Sequence, residues 1–408
     1  MFKFKNIEGG VTAPLGFKAS GVACGIKHKG GKDLALIYSE GPALTAGMFT
    51  TNKFKGAAVI VDLKYLKNGD NFRAVIVNSG NANASTGEQG IKDAEEMATL
   101  TAENLGVKKE EVLVSSTGII GKKMPMDKVK KGIIEAVEKL NYNGGVLAAS
   151  AIMTTDTKPK ELSIDTGIKG RGNKTIKIGG IAKGVGMICP NVATMLVFLT
   201  TDASISKDAL KESLHIAVNK SFNRLTVDGC MSPDDTVLIM ANGLARNERI
   251  KPKSENFPAF TQALTFLCEE LAKKMASDGE GATKLIEVKV KGAWNDKDAH
   301  RAAKAVANSA LVKTAMYGAD PNWGRIISAV GSVKVKFNPD KISLKLQGTS
   351  LIEKGKFVDY NEKELSVSLK KENAIIIEVD LHHGDKETTV WTCDLTEEYV
   401  KINAHYTT

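Results

Sequence analysis

The chain has 408 residues, 42% apolar and 25% charged, the make-up of an ordinary soluble globular protein with room for a large core. Lys and Arg exceed Asp and Glu by nine, but the basic residues are scattered and not interleaved with aromatics, which argues against a nucleic-acid groove. Five cysteines, odd in number and far apart with no CxxC, suit a reducing cytoplasm, and neither a secretion signal nor the roughly twenty apolar residues of a membrane span can be found.

In chain order, β-branched and apolar runs predict strands at Leu34 to Tyr38, Ala57 to Asp62 and Ala74 to Asn78. Helical spacing follows at Ile91 to Leu105 and at Met126 to Lys139, the latter behind Pro125. Strands are next expected at Thr175 to Ile178 and Met195 to Thr200, then a helix at Lys207 to Lys220 and a strand at Val237 to Met240. Helices at Phe257 to Met275 and Asp296 to Asn308 flank a strand at Leu285 to Val290, and strands at Val333 to Phe337 and Ala374 to Val379 complete the set. Strands and helices alternate in both halves, so the fold class is mixed α/β (α+β) in layers.

The usual catalytic sets are missing. His28, His215, His300, His382, His383 and His405 form no HExxH, and there is no GxSxG for one of them to serve, so all six are read as surface or structural residues. No cysteine–histidine spacing suits a metal. Two glycine-rich stretches follow apolar runs: Ser79-Gly80-Asn81-Ala82-Asn83 and Ser116-Thr117-Gly118-Ile119-Ile120-Gly121. Taken alone, each is either a sharp strand-to-helix turn or an oxyanion or carboxylate site.

The stretch KGVGMICPNVATM, Lys183 to Met195, also has two readings. Thr194 is an ordinary strand residue, or the bond before it is broken. In the second case Thr194 becomes an N-terminal threonine, whose α-amine, with a pKa of about 7.7–8.0, lies beside its own hydroxyl. Nucleophile and base then sit on one residue and no histidine is required.

Around this segment the chain resembles the ornithine acetyltransferase family, also called bifunctional glutamate N-acetyltransferase. The likeness rests on NSGNANASTG at Asn78 to Gly87, SSTGIIG at Ser115 to Gly121, AIMTTDT at Ala151 to Thr157 and KGVGMICPNVATML at Lys183 to Leu196. It continues in SFNRLTVDG at Ser221 to Gly229, DGEGATK at Asp278 to Lys284, GADPNWGR at Gly318 to Arg325 and WTCDLTEEYVKINAHYTT at Trp391 to Thr408. The order of the blocks, with the cleavage motif near mid-chain, makes the resemblance specific and nearly end to end.

The resemblance implies a four-layer α-β-β-α sandwich of the self-processing aminopeptidase and ornithine acetyltransferase type. It implies self-cleavage between Ala193 and Thr194, giving an α chain of residues 1–193 and a β chain of 194–408 that associate as an α2β2 heterotetramer. Thr194 would take acetyl from N-acetylornithine and pass it to glutamate in a ping-pong exchange without metal or cofactor, as a cytoplasmic step of arginine biosynthesis. Acetyl-coenzyme A is left open as a second donor. The Thr117 hydroxyl and the Gly118 N–H would form the oxyanion hole. Substrate would be held by Thr154, with Thr155 as the near alternative, by Lys183 and Glu280, and by Asn403 and Thr408 of the carboxyl tail. Cys230-Met231 and His405 depart from the family pattern and bear on local loop geometry and tail affinity. The rival readings are a self-processing aminopeptidase or amidohydrolase of the same fold, which passes the acyl group to water, and a basic nucleic-acid-binding protein.

Overall fold

The structure is a computed structural model that describes residues 4–27, 30–188 and 195–405. The amino-terminal half contains β1 (Lys5–Ile7), β2 (Phe17–Val22), β3 (Leu34–Phe49), α1 (Ala57–Asn68), β4 (Asn71–Asn81), α2 (Gly87–Leu105) and β5 (Val112–Ile119). It goes on through α3 (Met126–Glu138), α4 (Gly145–Ala151), β6 (Lys160–Lys169) and β7 (Thr175–Lys183). The second half opens with β8 (Leu196–Thr201), α5 (Lys207–Lys220), β9 (Thr236–Ala241) and α6 (Asn256–Ser277). Then come β10 (Leu285–Ala293), α7 (Asp296–Asn308), α8 (Ala310–Tyr317), α9 (Trp323–Gly331), β11 (Ser343–Leu346), β12 (Thr349–Glu353) and β13 (Lys356–Phe357). The chain ends in α10 (Glu362–Lys371), β14 (Ala374–Asp380), β15 (Lys386–Cys393) and α11 (Glu397–His405).

The long strand β3 organises the larger sheet. Its register shifts between Tyr38 and Ala43; the first part pairs with β2 and β4, the last part with β9. The sheet therefore bends at β3, with β2, β4 and β5 on one side and β9, β8, β7, β6 and β1 on the other. Alternation along the second group separates its two faces. Leu196, Phe198, Leu238 and Met240 join the core of the first group, whereas Val197, Leu199, Val237 and Ile239 pack with α5 and α6. Because α1, α2 and α3 cover the outside of the first group, the result is the α-β-β-α sandwich.

The sequence reading did not separate out a third core. Here β10–β15 form a second sheet, in the order β13-β12-β11-β14-β10-β15, with one face buried under α7 and its neighbours. Ile286, Val288 and Val290 point into that core, while Glu287, Lys289 and Lys291 stand on the other, polar face.

Two expected strands are corrected. Ala57 to Asp62 begins the helix α1, since the apolar run continues into LKYLKN, and burying Ala58, Val61 and Tyr65 against the core needs a helical face. Val333 to Phe337 alternates like a strand but pairs with none among the described residues. Its polar groups turn instead to α7: Arg301 Nη1 donates to the Lys334 carbonyl at 2.6 Å, and Asp298 Oδ2 accepts the Lys336 N–H at 3.4 Å.

Candidate active site

The ends of β4, β5 and β7 meet the loop after α4, the turn after α6 and the last helix, α11. A cleft of about 580 Å³, including its open mouth, lies there. Thr117, Gly118, Thr154, Thr155, Lys183, Glu280 and Asn403 all line it, brought together from five separate stretches of sequence. Ala193, Thr194 and Thr408, named on sequence grounds, lie outside the described residues.

The end of β5 is built around glycine. Gly118 has φ +134° and is in register with Gly80 of β4, and a Cβ on Gly118 would come within 2.4 Å of the Gly80 carbonyl carbon. Only glycine fits both the torsion and the approach. Asparagines hold the facing turn: Asn78 Oδ1 accepts from Ser116 Oγ at 2.7 Å, and Asn81 Oδ1 accepts the Asn83 N–H at 2.8 Å. Thr117 is thereby presented with one of its lone pairs occupied, as Lys183 Nζ donates to its Oγ1 at 3.0 Å. A hydroxyl accepting in this way keeps its own proton free for another acceptor.

Lys183 is buried at the end of β7, and burial pushes its ammonium below the usual lysine range, against the pull of Asp156, Asp235 and Asp234. Asp156 is itself held below the usual carboxylate range. Burial alone would raise it, but the Lys160 and Lys183 ammoniums, the hydrogen bond from Lys160 at 2.7 Å and the Gly184 N–H at 3.0 Å outweigh burial. Lys160 also reaches Asp278 at 2.6 Å, so a buried Asp156–Lys160–Asp278 chain ties the TTDT block to the DGEGATK block.

At the other end of the cleft the Glu280 carboxylate is braced on both oxygens. Oε1 accepts from Thr155 Oγ1 and Oε2 from Asn403 Nδ2, each at 2.7 Å. Gly186 makes room for it, since a Cβ there would lie 2.4 Å from Oε2. Thr154 lines the wall, its N–H donated to Asp156 Oδ2 at 3.1 Å.

Both sides of the segment carrying the Ala193–Thr194 bond are anchored by carboxylates. Asp228 accepts the N–H groups of Met187 and Ile188 at 2.6 and 2.9 Å, and Asp235 Oδ1 accepts that of Met195 at 2.8 Å. The Tyr399 hydroxyl of α11 also donates to Asp228, at 3.2 Å, which draws the tail toward the cleft. Sequence reasoning missed Asp156, Lys160, Asp278, Asp228 and Asp235. Most of them stood inside quoted motifs, but only their partners reveal what they do. Ser232 and Asp234, which also line the cleft, belonged to no motif. The GADPNWGR block is a turn that caps α9 through Asn322, and its Trp323 packs on Phe357 at 5.7 Å between ring centroids. Among the described residues, no histidine lines the cleft.

A hollow with fixed donors at one strained strand end, a buried cation beside them and a braced carboxylate opposite is suited to acyl transfer between small charged molecules, and fold and site together define an acyl-transferring enzyme. The chain belongs to the ArgJ family, whose model matches residues 18–408. It is 49% identical over 404 residues to the arginine biosynthesis bifunctional protein ArgJ of Symbiobacterium thermophilum, covering 98% of this chain and 99% of the relative. It is 46% identical over 413 residues to the glutamate N-acetyltransferase of Methanocaldococcus jannaschii, with 98% and 99% covered. A crystal structure of the arginine biosynthesis bifunctional protein ArgJ from Bacillus halodurans is similar at 45% identity and a TM-score of 0.50, over 51% of this chain and 98% of that one.

Proposed function

We propose that the protein is a glutamate N-acetyltransferase of arginine biosynthesis that carries acetyl from N-acetylornithine to glutamate on Thr194. The observation that carries this reading is the gathering of Thr117, Gly118, Thr154, Thr155, Lys183, Glu280 and Asn403 around one cleft. Thr194 attacks the acetyl carbonyl; its α-amine takes the hydroxyl proton and delivers it to the departing amine of ornithine. Negative charge on the carbonyl oxygen falls to the Thr117 O–H and the Gly118 N–H, both held in place before the charge develops. The amine of glutamate then attacks acetyl-Thr194, and the threonine oxygen recovers a proton as N-acetylglutamate leaves. Lys183 attracts the substrate carboxylate as a point charge, Glu280 takes a substrate ammonium, and Thr154, Asn403 and Thr408 complete the hold.

Cleavage between Ala193 and Thr194 supplies the free amine. The Bacillus halodurans chain supports a two-polypeptide mature enzyme, since nearly all of it matches only half of this chain. An α2β2 assembly and a cytoplasmic location go with this reading, and among the described residues no helix is long and apolar enough to cross a membrane. The test is an assay of purified protein with glutamate, offering N-acetylornithine and acetyl-coenzyme A separately. Acetylglutamate formed from N-acetylornithine supports the reading, formation from acetyl-coenzyme A adds the second donor, and release of free acetate alone points to a hydrolase.

A further inference from the structure

Asp234 lines the cleft at only 6% exposure, and its Oδ1 is wholly buried with no hydrogen-bond partner among the described residues. It lies against Gly56 at the start of α1, but the N–H groups there are already used: Gly56 donates to the Pro233 carbonyl and Ala57 to that of Asn83. Lys55, beside Gly56, turns its ammonium to the carbonyls of Thr50 and Asn52. The next residue, Asp235, is also buried, with Oδ1 on the Met195 N–H and Oδ2 without a hydrogen-bond partner among the described residues. Among the described residues, the ammonium whose charge acts on both carboxyls is that of Lys183, and it acts on Asp156 as well.

Two adjacent buried carboxyls sharing one cation do not both ionise at low cost, so the pair keeps a proton. The Met195 N–H stabilises charge on Asp235, which leaves the proton on Asp234. Burial raises both groups well above the usual carboxylate range, in line with this count. We infer that Asp234 is a further substrate-binding residue, a neutral carboxylic acid whose Oδ2, the oxygen not enclosed against Gly56, carries the O–H donated to the substrate carboxylate drawn in by Lys183. This rests on the acetyl-transfer reading above, in which both substrates bring a carboxylate to the same cleft. An ionised Asp234 would repel that group, whereas a protonated one is drawn into a charge-assisted bond, and the proton stays on Asp234 throughout.

The experiment compares Asp234→Asn with Asp234→Ala, and with Asp234→Leu as a second, isosteric replacement without a donor. Each is checked for folding by its Tm and for cutting on a denaturing gel, then assayed with N-acetylornithine and glutamate. The expected result is a KM for both substrates raised about tenfold or more in the Ala and Leu variants, with kcat changed less. That is the size of one lost hydrogen bond to a charged group. Asn, which presents an N–H where the acid had O–H, stays much closer to the wild type. A lower KM in all variants would mean a repelling carboxylate, and equal effects or none would mean a packing role; either overturns the assignment. Failure of the acetyl-transfer reading looks different: the wild type then forms no acetylglutamate, and calorimetric titration with glutamate compares the same proteins by the same criteria.

Discussion

Thr117 shows how much one residue's chemistry depends on neighbours that its own sequence block does not contain. Its oxygen is occupied by Lys183 from β7, and its backbone is placed by the Gly80–Gly118 approach between β4 and β5. Thr117→Ala removes the donor, together with the acceptor of the Lys183 hydrogen bond, so kcat is expected to fall about a hundred- to a thousandfold. Thr117→Ser keeps the hydroxyl and should retain most of the rate; steady-state kinetics of the two variants checks both. At this scale the sequence was informative about glycines and hydroxyls in motifs. It was silent on Asp156, Lys160 and Asp278, because Asp156 and Lys160 are close in sequence but the ion chain is completed only by Asp278, 118 residues beyond Lys160.

Among the elements, α1 shows where periodicity fails. AAVIVD suits either a buried strand or a buried helix, and only its packing against the core beneath α2 and β5 decides. The decision leaves Asp62 fully buried on the inner face of α1, with Oδ1 accepting the Val114 N–H at 2.8 Å and Oδ2 without a partner among the described residues. Burial pushes its carboxyl well above the usual range. The native state thus holds this proton to higher pH than the unfolded chain does. The group's contribution to stability is undiminished below the ordinary carboxylate range and is lost as pH rises toward the raised native value. Asp62→Asn keeps an acceptor for Val114 and removes the charge. It should stabilise the fold by about 1–3 kcal/mol at pH 8, a gain that shrinks toward pH 4, as calorimetric Tm values at the two pH values would record.

At the scale of the whole molecule, the bond before Thr194 divides a single sheet. Strands β1 to β7 precede it, yet β8 and β9, which follow it, sit between β7 and β3 and pair with both. The residues on either side of that bond therefore complete one sheet and core, and separating the two fragments of the proposed cut would expose Leu196, Phe198, Leu238 and Met240. Wild-type protein is expected to run as two bands of nearly equal size on a denaturing gel but as one species in native size exclusion. Thr194→Ala should give a single full-length band with the same native elution. A wild-type preparation that is active and uncut would remove the basis of the mechanism.

The order of motifs along the chain was enough, by itself, to identify the family, and it was the resemblance that named Thr117, Gly118, Thr154, Thr155, Lys183, Glu280 and Asn403, which line one cleft. Alternating strands and helices likewise marked the layered α/β class. What only the tertiary structure decided was the bend of β3 that makes one sheet into two layers, the separate core of β10–β15, and the buried carboxyls at Asp156, Asp234 and Asp235. These depend on which groups lose water together and which charges must then share a partner, and such long-range pairings leave no periodic trace in the sequence.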